Sequence, residues 1–219
     1  MSKRNRRKAQ AAQSTRIIQI IGVGVLLVVV AALIWMNLPA RKEQPQAGRK
    51  QYSAAPPMTI DVAKKYTATF KMAKGGEFVV QLYPDKAPIT VNSFVFLARD
   101  GFFNGVTFHR VLEGFMAQAG DPTGTGGGGP GYEFAYEPND LKFDKAGVVA
   151  MANTGPATPT NGSQFFITFG PASNLDGGYT IFGQVISGMD VVNGIKRRDP
   201  DQNPTFTGDV IESVTITEG

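Results

Sequence analysis

The segment FHRVLEGFMAQAGD, residues 108–121, concentrates side chains that could do chemistry without a nucleophile or a metal. Arg110 supplies a permanent cation, Phe115 and Met116 large apolar surfaces, and Gln118 a neutral amide. The pattern reads as a strand, a tight connection at Glu113-Gly114, a second strand, and a turn at Gly120-Asp121-Pro122. A hairpin of this kind gathers the four side chains at one end. Together they suit a small apolar group whose neighbouring carbonyl needs a hydrogen-bond donor, and proline in a peptide is such a group. His109, the single histidine, adjoins Arg110 and so points to the opposite side of a strand. It is expected to be structural, which leaves Arg110 for the cleft.

A second strand adds to the set. In QFFITF (164–169), period 2 places Phe165, Ile167 and Phe169 on one face and Gln164, Phe166 and Thr168 on the other. The first set is core. Phe166 is then an apolar residue on an otherwise polar face, as a pocket floor would be.

The segment 108–121, with MANTGPATPTNGSQFFITF (151–169) and NLDGGYTIFGQV (174–185), resembles the cyclophilin family of peptidyl-prolyl isomerases over roughly residues 58–219. The resemblance implies a proline pocket of Phe115, Met116, Phe166 and Leu175, with side-chain hydrogen bonds from Arg110 and Gln118. It further implies that Ala152 and Asn153 bind the peptide backbone, with Thr154 and Gln164 at the rim. Arg110, Phe115, Gln118 and Phe166 would be the catalytic set. Asn174 stands where many relatives carry Trp and Tyr179 where many carry His, so cyclosporin binding is expected to be weak. Two extra residues lie within PATPTNG (156–162).

The loop GTGGGGPG (124–131) spells a dinucleotide-binding glycine pattern, but Pro130, Gly131 and Tyr132 follow where a helix would have to start. No Lys-Ser/Thr ends it, so a P-loop fails too. In the family the corresponding loop borders the cleft, which makes Gly124 a candidate rim residue. Here the loop is about three residues shorter. Asn161-Gly162-Ser163 spells a glycosylation sequon but directly precedes a strand needed for binding.

The totals exclude several classes. The chain has 219 residues, no Cys and one His, so disulfides, thiolate zinc sites, Cys nucleophiles and His-rich metal sites are excluded. No cofactor is expected. The net charge of +4 averages unlike parts: residues 1–50 carry ten Lys or Arg and one Glu, while residues 51–219 carry twelve basic and seventeen acidic residues. A basic nucleic-acid-binding domain is not supported.

The elements that must position the site follow. Residues 1–16 are basic and expected to be cytoplasmic. IIQIIGVGVLLVVVAALIWM (17–36) has one polar side chain, Gln19, and at about 1.5 Å per residue would span roughly the hydrocarbon core of a bilayer. The reading favours a retained single-pass anchor over a cleaved signal, hence a membrane-anchored bacterial form with the catalytic domain extracytoplasmic. Residues 37–57 read as a flexible linker, and 58–219 as the isomerase domain. Eight candidate strands occupy 66–72, 77–83, 106–112, 115–119, 147–152, 164–169, 179–186 and 210–217, with a turn at 74–77. Helices are expected over 87–101 and 188–195. The class is mainly β: a closed eight-stranded antiparallel barrel capped by two helices. The expected function is acceleration of X-Pro bond rotation in exported polypeptides. The alternatives are a proline-peptide binding or chaperone module with negligible turnover, and a sugar- or nucleotide-binding barrel, for which no basic or aromatic-lined cleft is visible.

Overall fold

The computed structural model describes residues 50–202 and 204–219. Strand β1 (Tyr66–Met72) alternates strictly, burying Tyr66, Ala68, Phe70 and Met72, and β2 (Glu77–Leu82) buries Phe78, Val80 and Leu82. Gly75 and Gly76, both at positive φ, turn the chain between them. The remaining strands are β3 (Arg110–Leu112), β4 (Met116–Ala119), β5 (Val148–Met151), β6 (Phe165–Thr168), β7 (Ile181–Ser187) and β8 (Ile211–Glu218). All ladders are antiparallel, in the order β3-β4-β6-β5-β7-β2-β1-β8.

The expected closed barrel is corrected in one respect. The sheet is a half-barrel whose outer strands β3 and β8 share no ladder. The gap is crossed by the chain before each strand: an isolated bridge pairs Thr107 with Val210, and the Phe108 N–H donates to the Asp209 carbonyl at 2.8 Å. β3 is short because residues 105–108 leave the strand register to make this seam.

Helix α1 (Pro88–Arg99) forms where Pro88 can occupy the first turn without a missing hydrogen bond. It lays Val91, Phe94, Val95 and Ala98 into the interior. There Phe70 stacks on Phe78 at 4.6 Å, and Phe94 meets Phe165 edge-on at 5.9 Å. The interior is therefore a packed core, not a ligand cavity. Helix α2 (Met189–Asn193) is shorter than expected, and 3₁₀ turns at Ser173–Leu175 and Pro200–Gln202 were not foreseen.

The segment expected as a flexible linker, 37–57, behaves differently at its C-terminal end. Tyr52 packs against Phe96 at 5.1 Å, and its N–H donates to the Pro130 carbonyl. An aromatic ring offered to a half-buried aromatic cluster is the reason this part lies on the domain. The basic segment 1–16 and the apolar run 17–36 lie outside the described residues. Among the described residues no helix is long and apolar enough to cross a membrane.

Candidate active site

The site is a row across four strands. Arg110 on β3 faces Gln118 on β4, Gln118 faces Phe166 on β6, and Phe166 faces Ala150 on β5. Directly opposed residues share a sheet face, so all four side chains stand on one side. Their sequence neighbours Val111, Ala117, Phe165, Ile167 and Val149 point the other way, into the main core. The functional face is the outside of the half-barrel.

That face is not the polar surface expected around Phe166. All four residues of β6 are buried, and Phe166 is only 5% exposed. A second apolar cluster covers this face, with Phe166, Met116, Phe143, Ala150 and Ile181 at its centre. Phe143 stacks on Phe166 at 5.8 Å, and Tyr179 meets it edge-on at 5.4 Å. The correction has a physical cause: the strand is covered on both faces, so alternation sorts two cores and not core from solvent.

Above Phe166 lies a cavity of about 240 Å³ lined by Arg110, Phe115, Met116, Gln118, Ala152, Asn153, Phe166, Leu175 and Tyr179. Its size suits one residue-sized group better than a drug-sized ligand, for which pockets start at about 300 Å³. Arg99, Arg197 and Arg198 are tied up by Glu218, Glu113 and the Phe206 carbonyl. Among the described residues the Arg110 guanidinium makes no such bond, and it lines the cavity.

Gln118 is oriented by a chain of amides. Gln164 Nε2 donates to the carbonyls of Gly126 and Gly128 at 2.9 and 2.8 Å. Two acceptors on one side of Gln164 fix its Oε1 on the other, where it accepts from Gln118 Nε2 at 2.9 Å. The Gln118 Oε1 is thereby left for the cavity. Asn153 has both side-chain polar atoms buried without a partner among the described residues. An amide so placed is costly unless something binds it.

The glycine-rich loop is shaped by Asp121. Its carboxylate accepts from the Thr123 N–H at 2.6 Å, the Thr123 hydroxyl at 2.8 Å, the Thr125 N–H at 3.0 Å and the Gly126 N–H at 2.6 Å. Burial pushes the Asp121 pKa up, but these bonds outweigh it and hold the carboxyl below its ordinary value. His109 lies beneath this loop, 2% exposed, its Nε2 3.8 Å from where a Cβ on Gly126 would sit. Burial lowers its pKa, Arg198 and Arg110 lower it further, and Asp121 opposes them. His109 immediately precedes β3, outside the strand in which alternation was expected to orient it, and it does not line the cavity.

A second groove of about 680 Å³ adjoins the first, sharing Gln118, Ala152 and Asn153 and adding Thr154, Gln164 and the loop from Gly126 to Gly131. Eleven of the thirteen anticipated residues thus line one space or the other. The two exceptions are Gly124 and Asn174. Gly124 closes a turn on the Asp121 carbonyl before the loop reaches the rim, and Asn174 is exposed on the 3₁₀ turn whose next residue, Leu175, reaches the cavity. Sequence reasoning missed Gln51, Tyr132, Thr160 and Ser163, which line the groove from segments without periodicity.

The family model described as cyclophilin type peptidyl-prolyl cis-trans isomerase matches residues 67–216. The chain belongs to the cyclophilin family. Its isomerase activity follows from that membership and from relatives named for the reaction. A peptidyl-prolyl cis-trans isomerase-like 1 of Aspergillus oryzae is 45% identical over 150 residues, covering 66% of this chain and 92% of the relative. The peptidyl-prolyl cis-trans isomerase A of Mycobacterium tuberculosis is 45% identical over 170 residues, covering 69% and 92%. Among solved structures, a cyclophilin-type isomerase of Cryptosporidium parvum superposes with a TM-score of 0.63 at 32% identity, covering 71% of this chain and 99% of that one. A second structure of that protein was obtained in the presence of the dipeptide Ala-Pro.

The cell-membrane location expected for this cyclophilin is corrected. The relatives include isomerase-like 1 proteins, such as that of Mus musculus at 48% identity, whose names give an activity and no membrane, and none of the described helices can cross one. The run that prompted the expectation, 17–36, lies outside the described residues. The relatives and the described residues show neither a membrane-anchored bacterial form nor exported clients.

Proposed function

We propose that the cavity above Phe166 holds the proline ring of a client polypeptide, and that Arg110 and Gln118 carry the catalysis. The observation that carries this reading is the Arg110–Gln118–Phe166 row, with Arg110 and Gln118 lining a residue-sized cavity beside Phe115, Met116, Phe166 and Leu175. The X-Pro amide resists rotation by about 18–20 kcal/mol, and the barrier is resonance. Catalysis therefore requires only that the twisted amide be preferred to the planar one. Twisting localises a lone pair on the proline nitrogen, and that lone pair can accept a hydrogen bond. Arg110 donates there while holding the proline's own carbonyl, in a site from which Phe115, Met116, Phe166 and Leu175 exclude water. One preorganised donor contributes roughly 2.7–4 kcal/mol, and a dry surrounding strengthens it. No proton is transferred and no covalent bond forms.

Ala152 and Asn153 stand where the two spaces meet, so a peptide with its proline in the cavity would pass them on the way into the groove. The clients in this reading are proline-containing segments of unfolded chains, whose folding the isomerase assists. That a related protein was studied with Ala-Pro supports a short proline unit as the minimal ligand. Cyclosporin would bind weakly, since exposed Asn174 offers no ring to it.

The test is cis/trans exchange of a short proline peptide, followed without an auxiliary protease. Arg110→Ala should lower kcat/KM by about 10²–10³ with unchanged thermal unfolding. A near-wild-type rate in that variant would overturn the assignment. Peptide binding with no turnover in the wild type would instead mark a binding module.

A further inference from the structure

Gln51, between Lys50 and Tyr52, lines the rim of the larger groove, and all three residues precede the family match at 67–216. Their placement is firmly held. The Tyr52 hydroxyl donates to Asp100 Oδ2 at 2.6 Å, and Lys50 Nζ pairs with the same oxygen at 2.9 Å. The Tyr52 ring also meets Tyr132 at 6.3 Å. With both its neighbours tied to the end of α1, Gln51 is presented to the groove. There its Nε2 donates to the Gly129 carbonyl at 2.8 Å, and the following N–H, that of Tyr52, donates to the Pro130 carbonyl at 2.8 Å.

The glycine-rich loop is built to receive this contact. Gly131 sits at φ +93°, and a Cβ there would come within 2.6 Å of the Tyr52 carbonyl oxygen and 3.0 Å of Gln51 Oε1. Only glycine allows the two segments to approach so closely. The loop is thus gripped on two sides. Gln164 holds the carbonyls of Gly126 and Gly128, and Gln51 holds that of Gly129. Among the described residues lining the groove, Gln51 alone lies outside 67–216.

We propose that Gln51 is a specificity-determining residue of this isomerase. It forms part of the wall that binds residues flanking the proline, and it sets the position of Gly129 and Pro130 opposite them. Its influence falls on how extended peptides bind and not on the proline cavity, which it does not line. The inference rests on the reading of the site given above.

The experiment uses the full chain and two substrates: the dipeptide Ala-Pro unit, and the same unit extended by three residues on each side. Exchange rates as a function of concentration give kcat and KM for each. Gln51→Ala removes the donor and part of the wall. Gln51→Glu keeps the length but sets a carboxylate against the Gly129 carbonyl. In both variants the ratio of kcat/KM for the extended peptide over the dipeptide should fall roughly two- to tenfold, the weight of one hydrogen bond. The loss should appear in KM. A wild-type ratio in both variants would overturn the proposal, and so would an equal loss on both substrates, which marks a merely structural contact. Full dipeptide turnover in Arg110→Ala would overturn the reading of the site on which the proposal rests, an outcome read on a different variant and so distinct from an unchanged peptide ratio in the Gln51 variants.

Discussion

Arg110 differs from the other arginines of the barrel in having its guanidinium directed to a cavity and not to a carboxylate or carbonyl. In the mechanism proposed above its planar fork would donate to the proline nitrogen and the proline carbonyl together, and an ammonium cannot present donors in that arrangement. Arg110→Lys should therefore recover only part of the rate that Arg110→Ala loses, as measured by kcat/KM on a short peptide. The pH dependence belongs to this scale as well. His109 is the one side chain here whose ordinary pKa is near neutrality, and it faces away from the cavity beneath the loop. Catalytic efficiency should be almost flat from about pH 5.5 to 8.5 on a peptide without ionisable groups, and a bell-shaped curve that flattens in His109→Gln would make the histidine a catalyst. Stability should behave otherwise. Because the folded protein holds the His109 pKa below its unfolded value, the stabilisation is complete above about pH 6.5 and is lost as pH falls from there through the folded pKa. Urea midpoints recorded from neutral to acid pH should decline less steeply in His109→Gln.

Among the elements, α1 shows how a distant residue completes a local structure. Ala87 precedes the helix and has no side chain to cap it. Glu137 does so from across the fold: its carboxylate accepts from the Ile89 N–H at 2.9 Å, the Thr90 N–H at 2.7 Å and the Thr90 hydroxyl at 2.6 Å. The negative charge also sits at the favourable end of the helix dipole. Glu137→Ala should cost about 1–2 kcal/mol in urea unfolding, in the range of a lost cap, and Glu137→Gln about half of that because the amide oxygen still accepts. Wild-type stability of Glu137→Gln would show that charge contributes nothing, and equal stability of the two variants that the acceptor oxygen contributes nothing. Since Phe94 of α1 packs on Phe165, next to Phe166, a loosened helix should also raise KM modestly.

At the scale of the molecule, the seam between the two outer strands is the point most sensitive to a single atom. Gly208 has φ +109°, and a Cβ there would overlap the Phe108 carbonyl oxygen. The same stretch carries the Thr107–Val210 bridge and the Lys74–Asp209 ion pair at 2.5 Å. Gly208→Ala should destabilise the domain by more than about 1 kcal/mol, because the conformation is closed to alanine. For a domain of this size that corresponds to roughly 2–4 °C in Tm per kcal/mol. Hydrogen exchange should accelerate first in residues 105–108 and 209–211. An unchanged Tm would show that the seam does not limit stability.

Local pattern alone determined much of this. Period-2 alternation located all eight strands to within a few residues, and the spacing of Val91, Phe94, Val95 and Ala98 located α1. The hairpin brought Arg110 opposite Gln118, because register within a hairpin follows from its turn. Partners far apart in sequence were decided only by the tertiary structure. That β6 joins β4 sets Phe166 beside Gln118, and that Phe143 arrives over it turns an outward face into a second core. Glu137 at α1, Gln164 under the glycine loop and Gln51 on its rim lie in or beside stretches whose polarity signals a surface and names no partner. Hydrophobic periodicity reports which side of an element is buried. It does not report what buries it, since that depends on contacts between segments whose order along the chain leaves their pairing open.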